Sequence, residues 1–355
     1  MRVIRGFLAI TILALVIFVV IEQIDNSQEE VITDVTNVVK ESSHVLQSKV
    51  QPEESPLIEL EGDIFQWIGE SENKLKEDLG EPNRVDKSAY GYEWLVYNGS
   101  ESQYIQFGVE EEEIISVYAT GDDLQIEPVQ SGTTYEEVND TFNFNNEISY
   151  NEGLSSYTFR LTEEDMKTRP LVKVDDSVFV QFYFDTFTSS LSSVRILTAN
   201  TLLLHRPYEI EYRGNLPEQP ELTDEQWNTV QKGMEQQVFD ISNVIRHVHE
   251  KSHLEWDENV SEVAYEHSKD MHDNNYFSHI SLNGDGLKER LEAGEVLYVS
   301  AGENIAAQYP DAASAMEGWL NSEGHREALL SDDYNHLGVG VYRFYYTQNF
   351  LGKAL

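Results

Sequence analysis

The reading of this chain turns on four stretches in its last third: Asn275-Tyr276-Phe277-Ser278-His279, Gly302-Glu303-Asn304-Ile305, Trp319-Leu320-Asn321-Ser322-Glu323-Gly324-His325-Arg326, and Gly338-Val339-Gly340 followed by Tyr346-Thr347-Gln348-Asn349-Phe350. Each joins a polar or titratable residue to an aromatic residue or a glycine that can hold it in place. Eight of the ten histidines lie between His247 and His336, so the chemistry of the chain is concentrated there.

Working outward, the flanking segments have helical and strand patterning. Thr223, with Gln226 three residues on, is a capping-box signature. Val230, Met234, Val238, Ile241, Ile245 and Val248 then recur at spacings of three and four, the stripe of one long helix. Val260, Val263, Ala264, His267 and Met271 line a second helix, which ends at the Asn275–His279 stretch. Leu287–Leu291 and Ala312–Leu320 read as shorter helices, and 338–342 with 345–350 as a closing hairpin. Helices flanking a small sheet make this an α+β sandwich. Trp319 reads as core and Arg326 as an ion-pair partner. Glu303 reads as a carboxylate that can pin a loop at 301–306 through backbone N–H groups. His267 and His336 stand among apolar neighbours as core or cleft histidines, while His249 and His253 fall four apart on one solvated helix face.

Residues 57–205 have a different character. A helix at Asn73–Leu79 stops at Gly80-Glu81-Pro82, and short aromatic and β-branched runs follow at 92–97, 104–109 and 114–118. The pattern recurs from Gly132-Thr133-Thr134, 63 residues after Gly69-Glu70-Ser71, with strand-like runs at 157–161, 178–184 and 191–197. This is a mostly antiparallel β domain with short helices, read as two copies of a helix-plus-meander unit. It holds no phosphate-cradling loop and no ligand-spaced histidine pair, so it reads as a binding or scaffolding module. Residues 206–222 have the prolines and glycine of a linker, and 223–355 form the C-terminal domain.

At the other end, Met1–Arg5 is short and basic, and Gly6–Ile21 is uncharged and mostly apolar. Residues 1–21 are a signal anchor or a signal peptide, and 22–56 an acidic tether. The rest of the chain is thereby placed outside the cytoplasm, anchored by its N-terminus or secreted. The formal net charge is −40, from 64 acidic and 24 basic residues. That argues against nucleic acid as a partner, because phosphate binding needs clustered lysine and arginine. With no cysteine, thiolate catalysis, disulfides and cysteine-based zinc sites are excluded.

The segment from about Asn243 to Phe350 resembles a CAP domain, the family also called SCP or PR-1-like, in its bacterial form. The resemblance is carried by Leu254-x-Trp256-Asp257, His267-Ser268-x-Asp270-Met271 and the four stretches quoted first. Residues from about Leu57 to Ile196 resemble the CAP-associated N-terminal domain of Bacillus-type proteins, through Gly80-Glu81-Pro82-x-Arg84 and Tyr90-Gly91-Tyr92-x-Trp94. The resemblance implies an α-β-α sandwich with an open cleft, in which many members place two histidines and two glutamates. His279 and Glu303 match the first histidine and the first glutamate. Ser322 stands where the second glutamate is expected, and Tyr345 where the second histidine is expected. Bacterial members carry the Gly324-His325-Arg326 motif, whose histidine is expected to face the same cleft.

On this basis His279, Glu303 and His325 are the candidate metal-binding and catalytic residues. Two histidines and one carboxylate suit a divalent cation such as zinc. Asn304, Ser322, Tyr345 and Gln348 are expected to line the cleft. The leading function is recognition of a small molecule, lipid or envelope component at the cell surface. The residues leave open a metal-assisted hydrolase of peptide or envelope polymer, and a structural component of the envelope or spore layer.

Overall fold

The computed structural model describes residues 64–122 and 124–354. The expected anchor at 1–21 and tether at 22–56 lie outside the described residues. Among the described residues no helix is long and apolar enough to cross a membrane.

In the N-terminal region, α1 (Glu72–Leu79) leads into β1 (Arg84–Lys87), β2 (Glu93–Ser100), β3 (Gln103–Glu110) and β4 (Glu113–Gly121). After the two-residue strands β5 (Gln125–Ile126) and β6 (Val129–Gln130) come α2 (Tyr135–Phe142), β7 (Glu147–Glu152), β8 (Ser155–Arg160) and α3 (Glu163–Thr168). Then follow β9 (Leu171–Lys173), β10 (Val178–Asp185), β11 (Ser190–Thr198), α4 (Ala199–His205) and β12 (Glu209–Arg213). Seven strands form one antiparallel sheet in the order β1-β2-β3-β4-β11-β10-β9. The two halves meet at the β4–β11 pair, with three strands beyond β4 and two beyond β11. The two halves also share their anchoring contacts. Ser71 caps α1 and bridges to Glu113 at the start of β4, and Thr134 caps α2 and bridges to Ser190 at the start of β11. The second half differs in that β7 and β8 leave the main sheet and pair with β12 in a three-stranded sheet. The stretch read as a linker at 206–222 therefore contains a strand, whose Glu209-Ile210-Glu211-Tyr212-Arg213 alternation fits a solvated edge.

The C-terminal domain opens with α5 (Asp224–Val248), capped by Thr223 and Gln226 as expected. It continues with β13 (Glu255–Trp256), α6 (Glu258–Asp273), α7 (Leu287–Ala293), β14 (Ser300–Ala307), α8 (Ala312–Leu320), α9 (Glu323–Leu329), β15 (His336–Tyr342) and β16 (Tyr345–Gly352). The sheet order is β13-β15-β16-β14, which leaves β14 on an edge. The stretch 301–306 is thus this edge strand and not a loop, because all eight residues of β14 pair with β16. Period two assigns the faces. Gly338, Gly340, Thr347 and Asn349 face α6, and Gln348 and Tyr346 face α5 and α8. The Gly338-Val339-Gly340 stretch has a steric cause: a Cβ at Gly340 would overlap the backbone of Ala264 and Tyr265, and one at Gly338 the backbone of Val260 and Ser261. Helix α6 lies directly on this part of the sheet.

The stripe of α5 is buried from Val230 to Ile245, while Val248 is exposed at the helix end. It shares one core with Trp94, Val96, Tyr104, Tyr118 and Tyr183 of the seven-stranded sheet and with Tyr92 just before β2. The two regions are therefore joined by an apolar contact as well as by ions. Arg195 Nη2 lies 2.9 and 2.8 Å from the two oxygens of Asp311, the N-cap of α8. Glu317 of α8 accepts from Tyr118 Oη (3.0 Å), Ser192 Oγ (2.8 Å) and Ser193 Oγ (2.5 Å). On α5, Asp240 accepts from Arg84, and Gln237 donates to Asp86.

Candidate functional site

Glu303 sits on the edge strand β14, opposite Asn349 on the face toward α6. Its carboxylate is held at both oxygens. His279 Nδ1 is 2.9 Å from Oε1, and Arg290 Nη2 donates to Oε2 at 2.5 Å. Arg290, on α7, also donates through Nη1 to the carbonyl of His279 at 2.9 Å and to that of Asp285 at 3.2 Å. One guanidinium thus fixes both the carboxylate and the backbone of the histidine it orients. The carboxylate accepts the Nδ1 proton of His279, which fixes the orientation of the ring. Burial pushes the Glu303 carboxyl up, but the His279 hydrogen bond and the Arg290 charge outweigh it and hold it below its ordinary value.

His325 approaches from the other side of β14. It lies on α9, and Asn304 Nδ2 donates to its carbonyl at 3.0 Å. Its ring stands 6.5 Å from that of His279, centroid to centroid, with the planes inclined by 43°. Burial, reinforced by His279, pushes the His325 imidazole down to about 4. His267 of α6 lies behind the site. Its Nε2 donates to the Ser278 carbonyl at 3.1 Å, its Nδ1 is buried without a partner, and burial pushes it down to about 4. His267 and His325 are therefore neutral at pH 7. Phe277, Ile280 and Leu282, on the same loop as His279, are 52%, 53% and 69% exposed.

The other expected cleft residues are dispersed. Asn304 is adjacent to His325 but buried, and Gln348 bonds Asn304 and Ser242 inside the domain. Ser322 occupies the N-cap of α9 without a side-chain cap bond. Tyr345 pairs with Ala307, four residues along the strand from the level of Glu303, about 13 Å away. Its ring lies instead against His272. Trp319 is core and donates to the Ile305 carbonyl at 2.9 Å. His249 is the C-cap of α5 and His253 lies beyond it, so the two share no helix face.

The expected divalent cation is overturned. Among the described residues no group of three or more histidine, cysteine, aspartate or glutamate side chains is placed to hold a metal ion. The physical reason lies in the partners. Glu303 is committed to His279 and Arg290, and the guanidinium puts a fixed positive charge where a cation would need an open carboxylate. Sequence reading missed Arg290, since nothing local pairs it with a glutamate 13 residues away. The one available signal was the scarcity of basic residues in so acidic a chain.

A profile for the CAP-associated N-terminal domain matches residues 68–208, and one for the cysteine-rich secretory protein family matches residues 239–352. The uncharacterized membrane protein YlbC of Bacillus subtilis is 46% identical over 290 residues, spanning 82% of this chain and 84% of that protein. A shorter match, 35% identical over 121 residues, is to the uncharacterized protein YkwD of the same organism, covering 34% of this chain and 47% of that protein. Among solved structures, an extracellular SCP-domain protein of Bacillus anthracis superposes with TM-score 0.79 at 42% identity, covering 87% of this chain and all of that one. A cysteine-rich secretory protein of Staphylococcus aureus gives TM-score 0.72 at 27% identity, covering 82% and 96%.

Proposed function

This chain belongs to the cysteine-rich secretory protein (CAP) family and carries the CAP-associated N-terminal domain, and we propose that it recognises a ligand outside the cytoplasm at the edge of β14, between His279 and His325. The carrying observation is the pair of imidazoles 6.5 Å apart, one braced by Glu303 and Arg290 and the other half-buried and neutral. Such a pair offers hydrogen-bonding groups close together on the surface, and so suits a polar head. Phe277, Ile280 and Leu282 beside it offer apolar surface to the rest of the same molecule. The ligand is read as an amphiphilic small molecule or lipid, with an envelope fragment as the competing class. A location outside the cytoplasm accords with the basic and apolar N-terminal run and with the description of the Bacillus anthracis relative as extracellular.

The test is to follow the histidine ring resonances of the 13C-histidine-labelled protein during titration with a monoacylglycerol and, separately, with a muropeptide digest. Saturable shifts at His279 and His325 with the monoacylglycerol, abolished in His325→Ala, are expected. Shifts with the digest alone assign the site to envelope fragments, and no shift with either overturns the reading. Conversion of a probe to product turns the site into that of a hydrolase.

A further inference from the structure

The helix that carries His325 is held from the N-terminal region. The turn joining β10 to β11 reaches the junction of α8 and α9. Arg326 Nη2, one residue after His325, donates to Asp185 Oδ2 at 2.8 Å, and its guanidinium lies 4.8 Å over the Phe187 ring. Through Nη1 it also donates to the Leu320 carbonyl at 3.1 Å. Asn321 Oδ1 accepts from both the N–H and the hydroxyl of Thr186, each at 2.8 Å, and Asn321 Nδ2 donates to the Phe184 carbonyl at 2.9 Å. Asp185 is itself fixed, since its Oδ1 accepts from the N–H groups of Phe187 and Thr188. His249 at the end of α5 stands 3.6 Å from its other oxygen.

These contacts divide the Trp319–Arg326 stretch by destination. Trp319 goes to the core, His325 to the edge of β14, and Asn321 and Arg326 to the β10–β11 turn. Helix α9 has only seven residues, and a helix of that length has little stability of its own in water. Its position depends on what holds its ends.

We propose that the β10–β11 turn is a latch that sets the position of His325, with Asp185 acting through Arg326 and Thr186 through Asn321. Asp185 and Arg326 are positioning residues that reach the candidate site only through α9. The cleft and the contact between the two regions are then one coupled unit: whatever moves the turn moves His325, and whatever binds at His325 is felt at the turn. The latch is measured without a ligand, so its failure leaves the cleft reading standing.

The experiment compares full-length wild type, Asp185→Asn and Asp240→Asn by amide hydrogen exchange and by the ring resonances of 13C-labelled histidines. Asp240 pairs with Arg84 at the same junction of regions but on α5, and so controls for a general loosening. In Asp185→Asn the amides of 323–330 exchange at least about tenfold faster and the His325 ring resonance shifts, while that of His267 stays in place. In Asp240→Asn, α9 and His325 behave as in wild type. The proposal is overturned if Asp185→Asn leaves α9 and His325 unchanged, or if Asp240→Asn disturbs them equally. Should Asp185→Asn fail to fold, Thr186→Val removes only an exposed hydroxyl and one of the bonds to Asn321. It is expected to speed α9 exchange about threefold, and no change would equally overturn the latch.

Discussion

Two polar regions lie at opposite ends of the α8–α9 segment, and they use buried charge in opposite ways. At α8, Asp311 and Glu317 are fully enclosed. Arg195 pairs with Asp311, and three hydroxyls donate to Glu317. At α9 the same short segment brings His325 toward His279, where both residues are only partly covered. Enclosed charge needs a fixed partner, because water cannot compensate it. Imidazoles tolerate partial burial and keep hydrogen-bonding capacity. The first arrangement ties the two regions together, and the second leaves partly covered imidazoles at the edge of the C-terminal sheet. An ionisable residue in this fold is therefore read by its partner and not by its burial.

The largest effect is expected at the enclosed end. Asp311→Ala should cost about 3–5 kcal/mol in urea or thermal unfolding, because it strands the Arg195 guanidinium in the core. Replacing both residues with apolar ones of similar volume should cost less than Asp311→Ala alone. A double-mutant cycle that finds the two losses simply additive would break the distinction drawn here. The next effect belongs to the histidine end and depends on pH. His267 titrates at about 4 in the folded protein against 6.5 when unfolded. As pH falls below 6.5 the unfolded chain takes up a proton that the folded chain refuses, so stability is lost between pH 6.5 and 4 and is fully present above 6.5. His267 alone should account for about 3 kcal/mol of that loss. His267→Gln should flatten the pH dependence of unfolding by this amount, and an unaltered slope would mean that His267 is charged in the fold. Smaller still, Glu303→Gln keeps the shape but removes the charge from Arg290. A loss of about 1.5–2 kcal/mol is expected, together with a displaced His279 ring resonance, since the amide no longer fixes the Nδ1 proton. A stability loss as large as that of Asp311→Ala would place Glu303 with the enclosed charges instead.

Much of the fold was legible because it rests on local pattern. The capping box at Thr223 and Gln226, the stripe from Val230 to Ile245, the aromatic strands and the offset of 63 residues all appear as expected in the structure. The errors fall where pairing outranks propensity. The stretch 301–306 looked like a loop, for it holds two alanines, a glycine and an asparagine, and it becomes part of a strand, β14, that pairs along its whole length with β16. The linker concealed β12 for the same reason. For the candidate site, His279, Glu303 and His325, singled out from motif position alone, lie close together in the structure. The expected neighbours Tyr345 and Gln348 were misplaced, because strand alternation and distance along the strand decide which residues meet.

By itself the sequence determined the family, the α+β class, the acid-rich surface and the residues that converge on the edge of β14. These rest on local periodicity, steric demands such as Gly340 under α6, and motif identity. Only the tertiary structure decided what those residues do to one another. Arg290 takes the carboxylate that a cation would have used, burial pushes the His325 imidazole down, and Asp185 pairs with Arg326, 141 residues away in the chain. Such pairings join residues with no local relation, and the electrostatic state of a side chain follows from the charge beside it in space.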